Sequence, residues 1–160
     1  MANPTGPQRA SIIGTGLIGG SIGLALRGLG WHVTGTDADS ASEARALELG
    51  VIDAVGLDPG SAITFVAAPV RAIAHEVRRA LAGTTGVVTD VGSVKASVVA
   101  DVADPRFVGG HHMAGSEQLG VDGASADLFE GAVWVLTPVT GTDSDHFATV
   151  ASVVRQLGAE

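Results

Sequence analysis

Residues 11–26 read SIIGTGLIGGSIGLAL, and this glycine-rich run constrains the fold more than any other part of the chain. It has the G-x-G-x-x-G spacing found where a buried strand turns into a helix at a dinucleotide site. The first glycine makes the turn, the second lets a pyrophosphate approach the backbone, and the third lets the helix pack on the strand. These glycines are Gly14, Gly16 and Gly19. The N–H groups of Leu17 and Ile18 would then face the phosphates, where the helix dipole favours negative charge.

Apolar runs of strand length alternate along the chain with segments of helical spacing. This alternation is typical of an α/β fold with a doubly wound, mainly parallel sheet of the Rossmann type. We predict strands at 10–13, 32–36, 52–55, 63–67, 86–89, 107–109 and 132–137. We predict helices over 17–29, 40–49, 70–81 and 144–157, one ending near 102 and a short one within 119–130. Residues 1–9 would be a loose lead-in and residues 10–160 one NAD-binding Rossmann domain, with a further strand starting at 159–160.

Ligands of such a sheet bind at the carboxyl ends of its strands, which directs attention to the residues that follow each predicted strand. Asp37 follows the second strand, about twenty residues beyond the glycine motif, where an acid holds the ribose hydroxyls. Ala67 and Pro69 lie at the end of the fourth strand. We predict that all three residues contact the cofactor.

Asp37 has an alternative role, because an aspartate that follows a strand can also cap the next helix. Asp39 suits that cap better, and Ser40-x-x-Glu43 has the spacing of a capping box, which leaves Asp37 for the ribose. No Arg or Lys lies between Asp37 and Arg45, so a 2′-phosphate would meet an acid and no cation. We therefore predict NAD rather than NADP as the cofactor.

Composition restricts the partners. The formal net charge of −8 argues against nucleic acid or an anionic membrane as the main partner, because both reward basic patches. There are no cysteines, which excludes disulfides and thiolate metal sites and fits a reducing cytoplasm. The apolar run at 11–26 is shorter than the roughly 18 residues of a membrane span and is interrupted by glycines, so we expect neither a span nor a signal peptide.

Two adjacent histidines, His111 and His112, follow the strand at 107–109 in a glycine-rich segment, 109–118, that we predict to be a loop. A histidine near its ordinary pKa can take up a proton at neutral pH, and the alternative is a solvated polar residue. Adjacent side chains rarely share one ion, so no metal site is predicted. Ser93, which follows the fifth strand, could contact a substrate hydroxyl or cap the next helix.

Several segments taken together resemble the prephenate dehydrogenase family, which includes arogenate dehydrogenases and makes the tyrosine precursor. The segments are GTGLIGGS at 14–21, DVGSVK at 90–95, FVGGHHMAGSE at 107–117, ADLFEG at 126–131 and WVLTP at 134–138. The resemblance covers nearly all of the chain. It implies an NAD(P)-linked oxidative decarboxylation, in which hydride leaves the ring carbon that bears the hydroxyl and carbon dioxide is lost.

The resemblance also implies roles for three residues. His111 would accept the proton or hydrogen bond of the substrate hydroxyl, Ser93 would share that hydroxyl or hold the imidazole, and Glu117 would belong to the surrounding polar network. The family usually has proline at position 112, so His112 is a departure and a rival acceptor. The family's helical second domain, which builds a homodimer and helps to hold the substrate carboxylates, is expected to be absent from these 160 residues.

These observations predict the NAD-binding part of a prephenate dehydrogenase, which converts prephenate to 4-hydroxyphenylpyruvate and turns over poorly as this chain alone. The alternatives are a non-catalytic NAD-binding module, one half of a split enzyme, an arogenate dehydrogenase, and another Rossmann dehydrogenase that acts on a small hydroxy acid. The partner in each catalytic case is a small-molecule substrate.

Overall fold

The computed structural model describes residues 6–93, 101–115 and 120–160. The strands are β1 (Arg9–Ile13), β2 (His32–Thr36), β3 (Ala54–Val55), β4 (Ile63–Val66), β5 (Val87–Asp90), β6 (Phe107–His112) and β7 (Trp134–Thr137). The α-helices in these ranges are α1 (Leu17–Gly28), α2 (Ser40–Glu48), α3 (Ile73–Gly83) and α4 (Ser144–Gln156). The strands form one sheet in the order β3-β2-β1-β4-β5-β6-β7. All neighbours are parallel except β6 and β7, so the predicted doubly wound, mainly parallel sheet is confirmed.

The two faces of the sheet are apolar because both are covered, as parallel sheets require. Alternate strand residues point to opposite faces. Ile12 and Phe65 pack with α1 and α4, whereas their chain neighbours Ile13 and Val66 pack with α3. The continuous apolar runs that predicted buried strands therefore divide between two cores, one on each side of the sheet.

Asp53, just before β3, ties the amino end of β2 to α1. Its carboxylate accepts the Val33 N–H at 2.8 Å and pairs with the Arg27 guanidinium at 2.9 Å. Partial burial acts to raise its pKa, but the Val33 and Arg27 hydrogen bonds outweigh burial and hold the pKa of Asp53 below its ordinary value. The ionised carboxylate therefore stabilises this corner of the fold.

Several predicted elements differ from the observed ones. The helix predicted over 70–81 begins with a 3₁₀ turn at Val70–Ala72, and the α-helix extends to Gly83. Within 120–130 the structure has a 3₁₀ turn at Val121–Gly123 rather than a longer helix. The helix predicted to end near 102 falls largely on residues 94–100, outside the described residues. Among the described residues, no helix is both long enough and apolar enough to cross a bilayer.

The predicted capping box is wrong. Asp39 is the N-cap of α2, and its carboxylate accepts the Ala41 N–H, so Ser40 is the first helical residue. Glu43 instead reaches back to accept the Asp37 N–H at 3.0 Å. The glutamate stabilises the turn that precedes the helix, because it bonds the N–H three residues before the Ser40 N–H that the predicted capping box would use.

The largest correction concerns the segment predicted as a loop after residue 109. Strand β6 continues through His112, because Gly109–His112 pair antiparallel with Thr137–Trp134 of β7. The glycine-rich composition predicted a loop, although these residues form a strand whose partner lies more than twenty residues further along the chain. His111 and His112 are therefore held on a strand at the carboxyl edge of the sheet.

Beyond α4, Glu160 hydrogen-bonds beside β7. Its N–H donates to the Ala132 carbonyl and its own carbonyl accepts the Trp134 N–H, both at 2.8 Å. One residue bonded to both neighbours of a position is the pattern of a parallel ladder. The hydrogen bonds lie where the further strand was predicted to start.

Candidate functional site

The turn between β1 and α1 has the geometry that its glycine spacing predicts. Gly14 has φ of +95°, and a Cβ there would meet the Ala67 carbonyl oxygen at 2.5 Å. A Cβ on Gly19 would lie 1.8 Å from the Gly14 carbonyl oxygen, so this glycine lets α1 pack on the turn. A Cβ on Gly16 would meet nothing within 4 Å. Two glycines are thus required by the protein's own packing, while the third faces open space where a ligand could approach.

The amino end of α1 is suited to an anion. Gly16 is the N-cap and supplies no side-chain hydrogen bond, and the first turn contains no acidic residue. The helix opens at Leu17 and Ile18, both half-buried, as the sequence predicts. Uncapped N–H groups and the helix dipole together favour a phosphate at this position.

A cleft of about 660 Å³ opens beside this turn, at the carboxyl ends of β1, β2 and β4. Its walls come from the glycine turn, the residues after β2, the residues after β4 and one side of α3. The lining residues are Ile13, Gly14, Gly16, Thr36, Asp37, Ala38, Asp39, Glu43, Ala67, Ala68, Pro69, Ala72, Glu76 and Arg79. The structure therefore brings together five of the eight predicted cofactor contacts along one cleft, namely Gly14, Gly16, Asp37, Ala67 and Pro69. Leu17, Ile18 and Gly19 lie immediately beyond it in α1.

Asp37 lies in the cleft, but its carboxylate is already engaged by the protein. It accepts the Thr15 N–H at 2.7 Å, the Thr15 hydroxyl at 3.2 Å and the Asp39 N–H at 2.9 Å. Asp39 caps α2 as predicted, yet this does not leave Asp37 free of other partners. A carboxylate has about four acceptor positions, so capacity for a ribose hydroxyl remains. Asp37 therefore both fastens the glycine turn to β2 and faces the ligand space.

The cleft also contains a cation that the sequence reasoning missed. Arg79, on α3, donates from Nη2 to the Thr36 hydroxyl at 3.2 Å and from Nη1 to Glu76 at 2.8 Å. The prediction that a 2′-phosphate would meet no cation considered only the segment after Asp37 and did not include Arg79. No local signal marks Arg79, because it reaches the cleft from an element more than forty residues further along the chain.

The imidazole rings of the two adjacent histidines lie close together, with their centroids 5.9 Å apart. The ring of His112 packs 5.6 Å from Phe129 and 5.7 Å from Trp134, measured between centroids, and its Nδ1 accepts the Ala114 N–H. Burial, together with the neighbouring His111, lowers the pKa of His112. His112 is therefore neutral at neutral pH, with its ring packed on two aromatic side chains and its Nδ1 already hydrogen-bonded, which leaves His111 as the better candidate for chemistry.

Asp90 was not predicted as a site residue, yet it connects the backbone segments that carry Ser93 and His111. Its carboxyl is fully buried at the end of β5. It accepts the Gly92 N–H at 3.0 Å and the Gly110 N–H at 3.1 Å. These two residues immediately precede Ser93 and His111, so one carboxylate helps to fix the backbone of both. The signal available in the sequence was an acid ending an otherwise apolar buried strand, which is costly unless the acid is hydrogen-bonded.

Ser93 itself is exposed at the turn after β5, and Glu117 lies outside the described residues. Ser93, His111 and the cleft all lie at the carboxyl edge of the sheet, since β5 and β6 run parallel to β1 and β4. The arrangement can hold a dinucleotide along the glycine turn and can present an imidazole two strands away from β4.

Comparison with known proteins gives a consistent result. Residues 22–160 match the family model described as the prephenate dehydrogenase nucleotide-binding domain. The prephenate dehydrogenase of Bacillus subtilis is 37% identical over 164 residues, which cover 92% of this chain and 44% of that protein.

The crystal structure of a prephenate dehydrogenase from A. aeolicus, in complex with hydroxyphenyl propionate and NAD+, matches with a TM-score of 0.89 and 30% identity. This match covers 99% of this chain and 60% of that one. A Synechocystis arogenate dehydrogenase structure matches with a TM-score of 0.85 and 32% identity, covering 96% of this chain and 58% of that one. The chain thus spans about half the length of these relatives.

Proposed function

The chain belongs to the family of prephenate dehydrogenase nucleotide-binding domains, and from this premise we propose that it binds NAD and carries the catalytic histidine, His111. The full reaction is the oxidative decarboxylation of prephenate to 4-hydroxyphenylpyruvate. The observation that carries the proposal is the placement of the glycine-turn cleft and His111 at the same edge of one sheet. The expected setting is tyrosine biosynthesis in the cytoplasm.

The cleft fits a dinucleotide on its own geometry. Gly16 leaves the backbone open to a pyrophosphate, and the amino end of α1 has neither a side-chain cap nor an acid to compete with it. Asp37 keeps an acceptor position for a ribose hydroxyl, while Ala67 and Pro69 provide a small, apolar wall. When bound, the nicotinamide accepts a hydride from the substrate carbon that bears the hydroxyl.

His111 would accept the proton of that hydroxyl at a ring nitrogen, which pushes electron density toward the carbon as the hydride leaves. Asp90 would position this imidazole indirectly, through the Gly110 N–H, and would hold the Ser93 turn in the same way. Ser93 would then share the substrate hydroxyl or orient the imidazole. Glu117 remains a predicted member of the polar network around the substrate.

Two observations support one further substrate and one further function. The similarity to an arogenate dehydrogenase supports arogenate as the alternative substrate. The cleft is lined by residues of this chain alone, which supports a nucleotide-binding module as the second candidate. A homodimer formed through a helical second domain is expected for the longer members of the family.

The first experiment is a calorimetric titration of this chain with NAD and with NADP. We expect measurable NAD binding, weaker NADP binding, and very poor or absent turnover of prephenate. Robust turnover by these 160 residues would contradict the expectation that the substrate site is incomplete. Absence of NAD binding would contradict the proposal itself.

The second experiment places His111→Ala and His112→Asn in a chimaera completed with the C-terminal part of the Bacillus subtilis relative. We expect His111→Ala to lower kcat by at least about 100-fold, the usual contribution of a positioned general base. His112→Asn is the matched control, because it changes the adjacent histidine, whose ring packs on Phe129 and Trp134, and keeps an acceptor near the Ala114 N–H. Loss of turnover in His112→Asn with full activity in His111→Ala would refute the assignment, and comparing prephenate with arogenate identifies the substrate.

A further inference from the structure

The position of Arg79 in the cleft bears on which nucleotide the cleft accepts. Its Nη2 lies 3.2 Å from the hydroxyl of Thr36, the residue directly before Asp37. Asp37 is the residue proposed to hold the ribose hydroxyls, so the guanidinium is anchored next to the place where a ribose 2′-phosphate would lie. Arginine is the side chain best suited to bind a phosphate, through its planar set of N–H donors.

Glu76 opposes that capacity. Its carboxylate lies one helical turn before Arg79 on α3 and accepts from Nη1 at 2.8 Å. The glutamate side chain is only 18% exposed and faces the cleft, whereas the arginine is 45% exposed. Among the described residues that line the cleft, Arg79 is the one cation, and four carboxylates share the space with it. They are Asp37, Asp39, Glu43 and Glu76.

We propose that Glu76 sets the nucleotide selectivity of this cleft by holding the Arg79 guanidinium, which would otherwise bind the 2′-phosphate of NADP. The inference rests on the proposed function, since it assumes that the cleft binds a nicotinamide dinucleotide. Selectivity for NAD then has two sources. Asp37 repels the additional phosphate, and Glu76 neutralises the cation that would attract it.

Stability alone does not account for the pair. Ion pairs three residues apart on a helix contribute little to folding, and water reaches this one at the Arg79 end, which is 45% exposed. A second such pair, Arg45 with Glu48 on α2, lies outside the cleft at 3.0 Å. It provides a matched control with the same residue types and the same spacing.

The test compares NAD and NADP binding by calorimetry in four forms of the chain: Glu76→Gln, Arg79→Gln, the double variant and the control Glu48→Gln. Glutamine at 76 keeps an acceptor for the Arg79 N–H and removes only the charge. We expect Glu76→Gln to tighten NADP binding by about three- to tenfold relative to NAD, equivalent to roughly 0.7–1.4 kcal/mol. Arg79→Gln should weaken NADP binding, and the double variant should lose the gain. The gain should shrink as ionic strength rises, because the interaction is between partly exposed charges.

The outcomes separate the two proposals. If the unaltered chain binds no NAD, the proposed function and this inference both fail. If it binds NAD but Glu76→Gln shifts the NADP/NAD ratio no more than Glu48→Gln does, only the role of Glu76 is refuted. Persistence of the gain in the double variant would likewise overturn the role of Arg79. Circular dichroism of each variant shows whether the fold is retained.

Discussion

Two glycines of the same turn are expected to respond in opposite ways to the same substitution. In Gly19→Ala the new Cβ would lie 1.8 Å from the Gly14 carbonyl oxygen, where real contacts stay beyond 3.0 Å. That oxygen belongs to the backbone, so the turn has to move by about 1 Å. In Gly16→Ala the new Cβ meets nothing within 4 Å, and the backbone φ of −79° lies outside the left-handed region that favours glycine.

The magnitudes follow from these contacts. Overpacking costs about 1–3 kcal/mol, partly offset by alanine's better helix propensity, so we expect Gly19→Ala to destabilise the chain by about 2 kcal/mol. For a chain of this size that lowers Tm by about 4–8 °C. Gly16→Ala should cost at most about 1 kcal/mol, the difference between the two residues at an N-cap. Its methyl group would block one charge-assisted hydrogen bond to the pyrophosphate, weakening NAD binding by about tenfold to a hundredfold.

The assays are thermal denaturation followed by circular dichroism and calorimetric titration with NAD. Gly28→Ala is the control, because this glycine ends the same helix and has open space around it. The reasoning is refuted if Gly16→Ala binds NAD as tightly as the unaltered chain. It is equally refuted if Gly19→Ala melts at the same temperature as Gly28→Ala.

Three further predictions concern ionisable groups. Asp37→Ala leaves the buried Thr15 N–H without its acceptor, which should lower the free energy of unfolding by about 1–3 kcal/mol. In calorimetry the same variant should bind NAD more weakly and discriminate less against NADP. Because the pKa of His112 is lowered by folding, the unfolded chain binds more protons than the folded chain below about pH 6.5. The free energy of unfolding should therefore fall between pH 7 and pH 5.5. Urea denaturation of His112→Asn at the two pH values should show a smaller loss of unfolding free energy than the unaltered chain shows. Because the pKa of Asp53 is lowered by folding, its contribution to stability is fully present above about pH 4. That contribution is lost as the pH falls through the pKa of Asp53 in the folded chain. Asp53→Asn should therefore destabilise the chain by roughly 1 kcal/mol at pH 7 and by less at pH 3, with urea denaturation again as the measurement.

The elements of the amino-terminal half follow closely from local pattern. Strand β2 has the predicted bounds, and α1, α2 and β4 differ from prediction by one residue each. Local signals mark the boundaries of these elements, namely a glycine turn, an aspartate cap and continuous apolar runs. Pattern was weaker around the histidines, where glycines obscured a strand that depends on a distant partner for its hydrogen bonds. Pairing of that kind has no local signature.

The candidate site divides in a similar way. The glycine turn, Asp37 and the residues after β4 could be located from sequence, because the carboxyl ends of parallel strands converge at one edge. Arg79 and Asp90 could not, since the first reaches the cleft from another element and the second hydrogen-bonds a backbone N–H twenty residues away. Long side chains and buried hydrogen bonds connect residues whose separation in sequence carries no information about their contact.

The class of fold and the position of the cleft could both be predicted from the sequence, because they depend on short-range periodicity and on glycine, whose backbone freedom is local. The surroundings of the two histidines follow from the tertiary structure. The antiparallel pairing of β6 with β7 places His112 directly across from Trp134, so that its ring packs in the aromatic core. The same is true of the cleft's charge, because the Glu76–Arg79 pair meets Thr36 only after α3 has packed on the sheet. Which face a side chain occupies and which charges meet depend on strand partners and helix packing, and those are properties of the folded chain.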